Sequence, residues 1–167
     1  MQLTSLQDVF VDQLGDLYSA EQQLVQALPK VSGAASDDKL RTAFDQHLEE
    51  TREHVRRLEQ IFDQLGFSVP AEKCKGMEGL IAEGEKIIAA PGDPAAKDAA
   101  LIAAAQRIEH YEIAAYGTVR TLADELGHDD VETLLNETLD EESAADQKLT
   151  KIATGGLLKS GVNQAVT

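Results

Sequence analysis

Seven side chains stand out because they are metal-ligand types at positions where helical periodicity asks for an apolar residue. His47, Glu50 and His54 fall at i, i+3 and i+7, a spacing that stacks side chains on one helix face, and that face continues into Leu58 and Ile61. Imidazole together with carboxylate suits iron, manganese or zinc, although either His could instead be a hydrogen-bonded core residue. Further along, Glu109-His110-Tyr111-Glu112 sets two carboxylates one turn apart beside Ala105, Ile108 and Tyr116, so each can bind its own metal or bridge a pair. Within the run Asp140-Glu141-Glu142, Glu142 shares a face with Leu135, Leu139, Leu149 and Asp146. Glu21 fills the one position missing from the stripe Leu14, Leu17, Leu24, Leu28. An ionised carboxylate buried without a partner is strongly unfavourable, so acids in core phase call for cations. Glu49 and Glu53 point towards the side of Gln46, Arg57 and Gln60 and read as a solvated face.

Four long helices are needed to carry these residues. The first runs from about Ser5 to Val31, with Leu6, Phe10, Leu14, Leu17, Leu24 and Leu28 on one stripe. Ser32-Gly33-Ala34-Ala35-Ser36 breaks it, and Ser36 followed by Asp37 and Asp38 is the expected cap of the second helix. That helix continues through Leu40, Phe44 and Leu58 to Leu65 and stops at Gly66, with Pro70 beyond. Residues 66–93 are punctuated by glycine and proline around Met77 to Ala90, which predicts a long connection holding one short helix. Asp93-Pro94 is a cap with proline at the first helical position, opening a helix to Leu126 that ends at Gly127. The last helix spans about Asp129 to Ala153, ends at Gly155-Gly156, and leaves residues 157–167 as a loosely ordered tail. Short, long and short connections make two helical hairpins joined by one crossover, the topology of a ferritin-like bundle over residues 1–156.

A chain of 167 residues suits one domain, and its scarcity of aromatics favours helix over sheet. With 30 acidic against 15 basic residues the net charge is -15, which disfavours nucleic acid and anionic membranes as partners. Most of that acidity serves solubility, since a few acids at a cation site cannot account for it. Cys74 is the only cysteine, so there is no disulfide partner within the chain and no CxxC metal motif. The N-terminal residues carry acids early and no sustained apolar run, so neither a signal peptide nor a membrane anchor is expected, and a cytoplasmic location follows.

The segments LYSAEQQLVQALPK, HLEET, MEGLIAEG, DAALIAAAQRIEHYEIAAYGT and ETLDEESAADQKLT resemble, over nearly the whole chain, the YciE/YciF-type bacterial stress proteins, a ferritin-like group. That resemblance implies a ferritin-like fold, dimers and a di-iron centre. A more distant likeness is to rubrerythrin, whose third helix carries a Glu-x-x-Glu like Glu109 and Glu112 and whose later ligand Glu matches Glu142, while Glu21 matches its first-helix ligand. The Glu-x-x-His pairs of rubrerythrin are absent, since Glu50 has His54 at i+4 and Glu142 has Ala145 at i+3. The likeness therefore implies a carboxylate-rich, histidine-poor site. The full expectation is two divalent metal ions, iron with manganese as the alternative, held by Glu21, His47, Glu50, His54, Glu109, Glu112 and Glu142 in a homodimer acting on peroxide or oxygen during stress. A metal-binding protein without turnover and a purely structural dimer are the competing readings. Apolar residues Phe62, Phe67 and Leu80 are the expected dimer surface.

Overall fold

In the computed structural model, which describes residues 3–156 and 159–166, four long helices form the bundle and a short one crosses it. Helix α1, Leu6–Ala34, starts from a reciprocal cap in which Asp8 N–H donates to Ser5 Oγ at 3.1 Å and Ser5 N–H donates to Asp8 Oδ2 at 3.0 Å. Helix α2, Asp38–Leu65, is capped by Asp37 and not by Ser36, one residue earlier, as the sequence suggests. The reason is tertiary: the carboxylate of buried Asp98 accepts from Ser36 N–H at 2.8 Å and Asp37 N–H at 2.7 Å, so this turn is fixed from outside. Gly66, at φ 70, ends α2 in the left-handed region that favours glycine.

Helix α3, Lys75–Ala89, is the short crossover helix and packs on α1 and on α4, Pro94–Glu125. Gly15 lets the connection lie against α1, because a Cβ there would meet the Pro70 ring at 2.5 Å. Asp93 caps α4 as expected, accepting from Ala95 and Ala96 N–H groups at 2.9 and 3.0 Å. Helix α5, Asp129–Thr154, completes the second hairpin. Helix α1 packs chiefly on α2 and α4 chiefly on α5, which is the pairing that two short connections require.

After α5, Gly155–Gly156 pairs antiparallel with Lys159–Ser160, and a short 3-10 turn, Val162–Val166, follows. Val162 is buried in the core, so the segment read from the sequence as a loose tail contributes an apolar side chain; residues 157, 158 and 167 lie outside the described residues. Among the described residues no helix is long and apolar enough to cross a membrane.

The core is in two parts. Leu24, Leu28, Phe44, Leu101 and Leu149 belong to one apolar cluster, and Phe10, Leu14, Leu17, Leu58, Ile61 and Leu135 to the other. On each long helix the ligand-type residues fall between the two: Glu21 between Leu17 and Leu24, His47 and His54 between Phe44 and Leu58, Glu109 and Glu112 between Ile102 and Tyr116, Glu142 between Leu135 and Leu149. A polar layer thus divides the apolar interior.

Candidate metal centre

Six of the seven residues singled out from the sequence meet in that layer. One ligand atom from each of His47, Glu109, Glu112 and Glu142 lies within 4.8 Å of the others, and the same holds for Glu21, His54 and Glu142. All six are buried. Glu142 belongs to both groups: Oε1 lies 2.9 Å from His54 Nδ1, and Oε2 lies 3.9 Å from His47 Nε2. His47 Nε2 is also 3.5 Å from Glu109 Oε1, and His54 Nδ1 is 3.3 Å from Glu21 Oε1.

These are ion-pair approaches without hydrogen-bond geometry. Glu21 Oε2, His54 Nδ1, Glu109 Oε2 and both oxygens of Glu112 and Glu142 are buried and make no hydrogen bond, and Glu112 has no ion-pair partner among the described residues either. Each such group costs about 1–3 kcal/mol, more if charged, and a folded chain rarely keeps several in one place. Carboxylate and imidazole atoms that converge this closely from different helices fit cations placed between them, in place of the protons that His54 and the raised carboxyls carry without metal. Four carboxylates and two imidazoles form a donor set suited to iron, manganese or zinc.

An outer ring of contacts fixes these side chains. Tyr116 donates to Glu21 Oε1 at 2.6 Å. His54 Nε2 lies 3.0 Å from Glu141 Oε2, and Arg57 forks onto the same carboxylate at 2.5 and 3.1 Å while also donating to Thr138 at 2.9 Å. Hydrogen bonds from His54 and Arg57 hold Glu141 at about 2, so it is ionised and His54 Nε2 is the donor, which leaves Nδ1 to face the interior.

Without a cation the site keeps protons. Burial pushes Glu109 and Glu112 well above the usual carboxylate range; the Glu142 charge adds to this, while His47 opposes it at Glu109. Burial alone would lower His47, but Glu109, Glu50 and Glu142 outweigh it and raise it to about 9. His54 is lifted to about 12 against its burial by Glu141, Glu142 and Glu21. Burial also raises Glu21, only partly offset by His54.

Glu50 is the residue that does not join. Its side chain is 46% exposed, and its nearest tie to the site is Oε2 at 3.4 Å from His47 Nδ1. At about 100° per residue, His47 and His54 return to within about 20° of each other while Glu50 sits about 60° aside. Helix α2 therefore presents two histidines and no carboxylate, which corrects the expectation that every long helix supplies a Glu. Asp146 is also outside the site, accepting from Gln106 at 3.0 Å. Tyr18 and Tyr111 bond Glu59 and Asp16 instead of the ligand residues, at 2.9 and 2.6 Å. Arg57, read from the sequence as facing solvent, is only 8% exposed, and with Glu141 it forms an orienting pair that sequence reasoning misses. Nothing in the spacing marks the pair, because Arg57 lies on the polar side of α2 and is buried only by α5.

Fold and site together define a ferritin-like helical bundle with a carboxylate- and histidine-lined interior. The chain belongs to the family described as a domain of unknown function, DUF892, whose model matches residues 5–166. It is 46% identical to Protein YciF of Escherichia coli strain K12 over 166 residues, covering 99% of this chain and 100% of that protein. The crystal structure of the E. coli stress protein YciF superposes with a TM-score of 0.87 at 47% identity, covering 89% of this chain and 94% of that one. YcfI from Rhodopseudomonas palustris, provisionally described as a structural protein, superposes with a TM-score of 0.88 at 41% identity, covering 91% and 97%.

Proposed function

We propose that this protein is a di-metal carboxylate protein of a bacterial stress response, acting on peroxide or oxygen. The observation that carries the reading is Glu142, buried, without a hydrogen bond at either oxygen and common to two groups of converging ligand atoms. Glu142 would bridge; Glu21 and His54 would hold one ion; His47, Glu109 and Glu112 would hold the other. Bound iron or manganese would supply the redox chemistry that the side chains lack. Tyr116 orients Glu21, Glu141 orients His54, and the two apolar clusters exclude water from above and below. The stress assignment is supported by the description of YciF, and the cytoplasmic placement by a lone, buried, free cysteine.

A purely structural dimer is the second reading, and the description of YcfI as a structural protein favours its structural part. Metal analysis of protein purified without an affinity tag separates the two. About two ions per chain, lost on chelation and followed by an oxidant-dependent colour change on iron reloading, supports the first reading. Indifference of folding and spectrum to chelator and added metal supports the second.

A further inference from the structure

Among the described residues, two cavities reach the ligand layer, and both touch His47 and Glu109. The first lies between α1, α2, α3 and α4, holds about 40 Å³, and is walled by Leu24, Leu28, Phe44, Leu101, Ile108 and Ile88. Its charged lining residues away from the site are Lys30 and Glu85, which pair at 2.9 Å and are both largely exposed, so they mark its outer end. The second lies between α2, α4 and α5, holds about 230 Å³, and is lined by Glu50, Glu141 and Lys148 as well as by small alanines. Neither cavity is lined by Glu21, His54 or Glu142.

We propose that the apolar cavity is the port by which a small uncharged molecule of dioxygen's class reaches the metal position held by His47 and Glu109, while ions enter by the polar opening beside Glu50. The size limits the occupant. About 10–15 Å³ of such space holds one water, so about 40 Å³ admits a molecule of a few atoms and no acyl chain. The lining decides the polarity, because an ion or a peroxide would leave its hydrogen bonds unmet along these walls. Gly84 marks the same opening: it is buried on α3, yet nothing lies within 4 Å of where its Cβ would be. This inference rests on the two-metal reading, and it makes the two metal positions unequal, with the one at His47 accessible from these cavities and the one at His54 not.

The test uses Gly84→Leu, which fills the port from a helical position that tolerates leucine well, with Gly84→Ala as the milder intrusion should α3 be disturbed. Crystals of the metal-free protein under xenon are expected to show one xenon in the parent pocket and none in Gly84→Leu. In the ferrous protein, nitric oxide association is expected to slow by about tenfold or more in Gly84→Leu, while azide binding to the ferric protein is unchanged. No xenon in the parent, or nitric oxide rates indifferent to the filled pocket, overturns the port. Failure of the parent to bind iron, with xenon in place, overturns the two-metal reading instead.

Discussion

His54 turns its Nε2 to Glu141, 3.0 Å away, and thereby faces Nδ1 into the bundle, where it lies 2.9 Å from Glu142 and 3.3 Å from Glu21. The carboxylate is fixed by Arg57, so the tautomer and ring angle of a candidate ligand are set by a residue that cannot itself reach the centre.

Replacing Glu141 by Gln is therefore expected to weaken metal binding by about 10- to 100-fold without removing any ligand. Calorimetric titration of the variant reads this directly. Affinity equal to the parent's would show that His54 needs no such support.

Glu109→Gln with Glu112→Gln is expected to act oppositely in the two metal states. Both carboxyls are raised by burial and by the Glu142 charge, so neutral amides keep or increase the melting temperature of the chelated protein. Metal affinity is expected to fall more than about 100-fold, beyond what loss of an outer contact costs. Glu49→Gln, on an exposed side chain, is the control and should change neither. Unaltered iron binding by the double variant would end the two-metal reading.

The pH dependence has a defined sign. His47 titrates at about 9 and His54 at about 12 in the folded chain, against 6.5 for a free His, so the folded state binds more protons and their stabilisation is complete below 6.5. The His47 part is lost as pH rises through 9 and the His54 part as it rises towards 12. Glu109 and Glu112, raised above 4.5, act in the same direction. Chelated protein should melt progressively lower between pH 6.5 and 9, and metal affinity should rise over the same window because the ion displaces those protons. Scanning calorimetry with and without chelator checks both, and a pH-independent melting temperature in the chelated protein contradicts the proton-holding site.

Self-association is expected through one end of the bundle. Phe62, expected at the surface, is buried, whereas Leu3, Leu6, Phe67 and Val69 are exposed where α1 begins and α2 ends. We propose that this end forms a symmetric dimer contact. Leu6→Ser with Phe67→Ser should then halve the mass seen by light scattering, and a parent that is already monomeric at micromolar concentration removes the proposal.

Much of this protein is local, and the local part is legible in its sequence. Caps such as Ser5 with Asp8 and Asp93 with Pro94, the glycine stop at Gly66, and the long gap between Leu65 and Pro94 define the helices and their crossover, because each acts within a turn of itself. Core-phase acids are legible for the same reason: Glu21, Glu109, Glu112 and Glu142 interrupt stripes whose period is set by the helix alone. What the sequence leaves open needs a second helix. Asp98 moves the α2 cap by one residue from another hairpin, and Glu141 on α5 chooses which nitrogen of His54 faces inward. Glu50 sits only about 60° from the histidines on α2, and it is the packing of α5 on α2 that decides where the buried layer ends, so the histidines point into it while Glu50 stays at its polar opening.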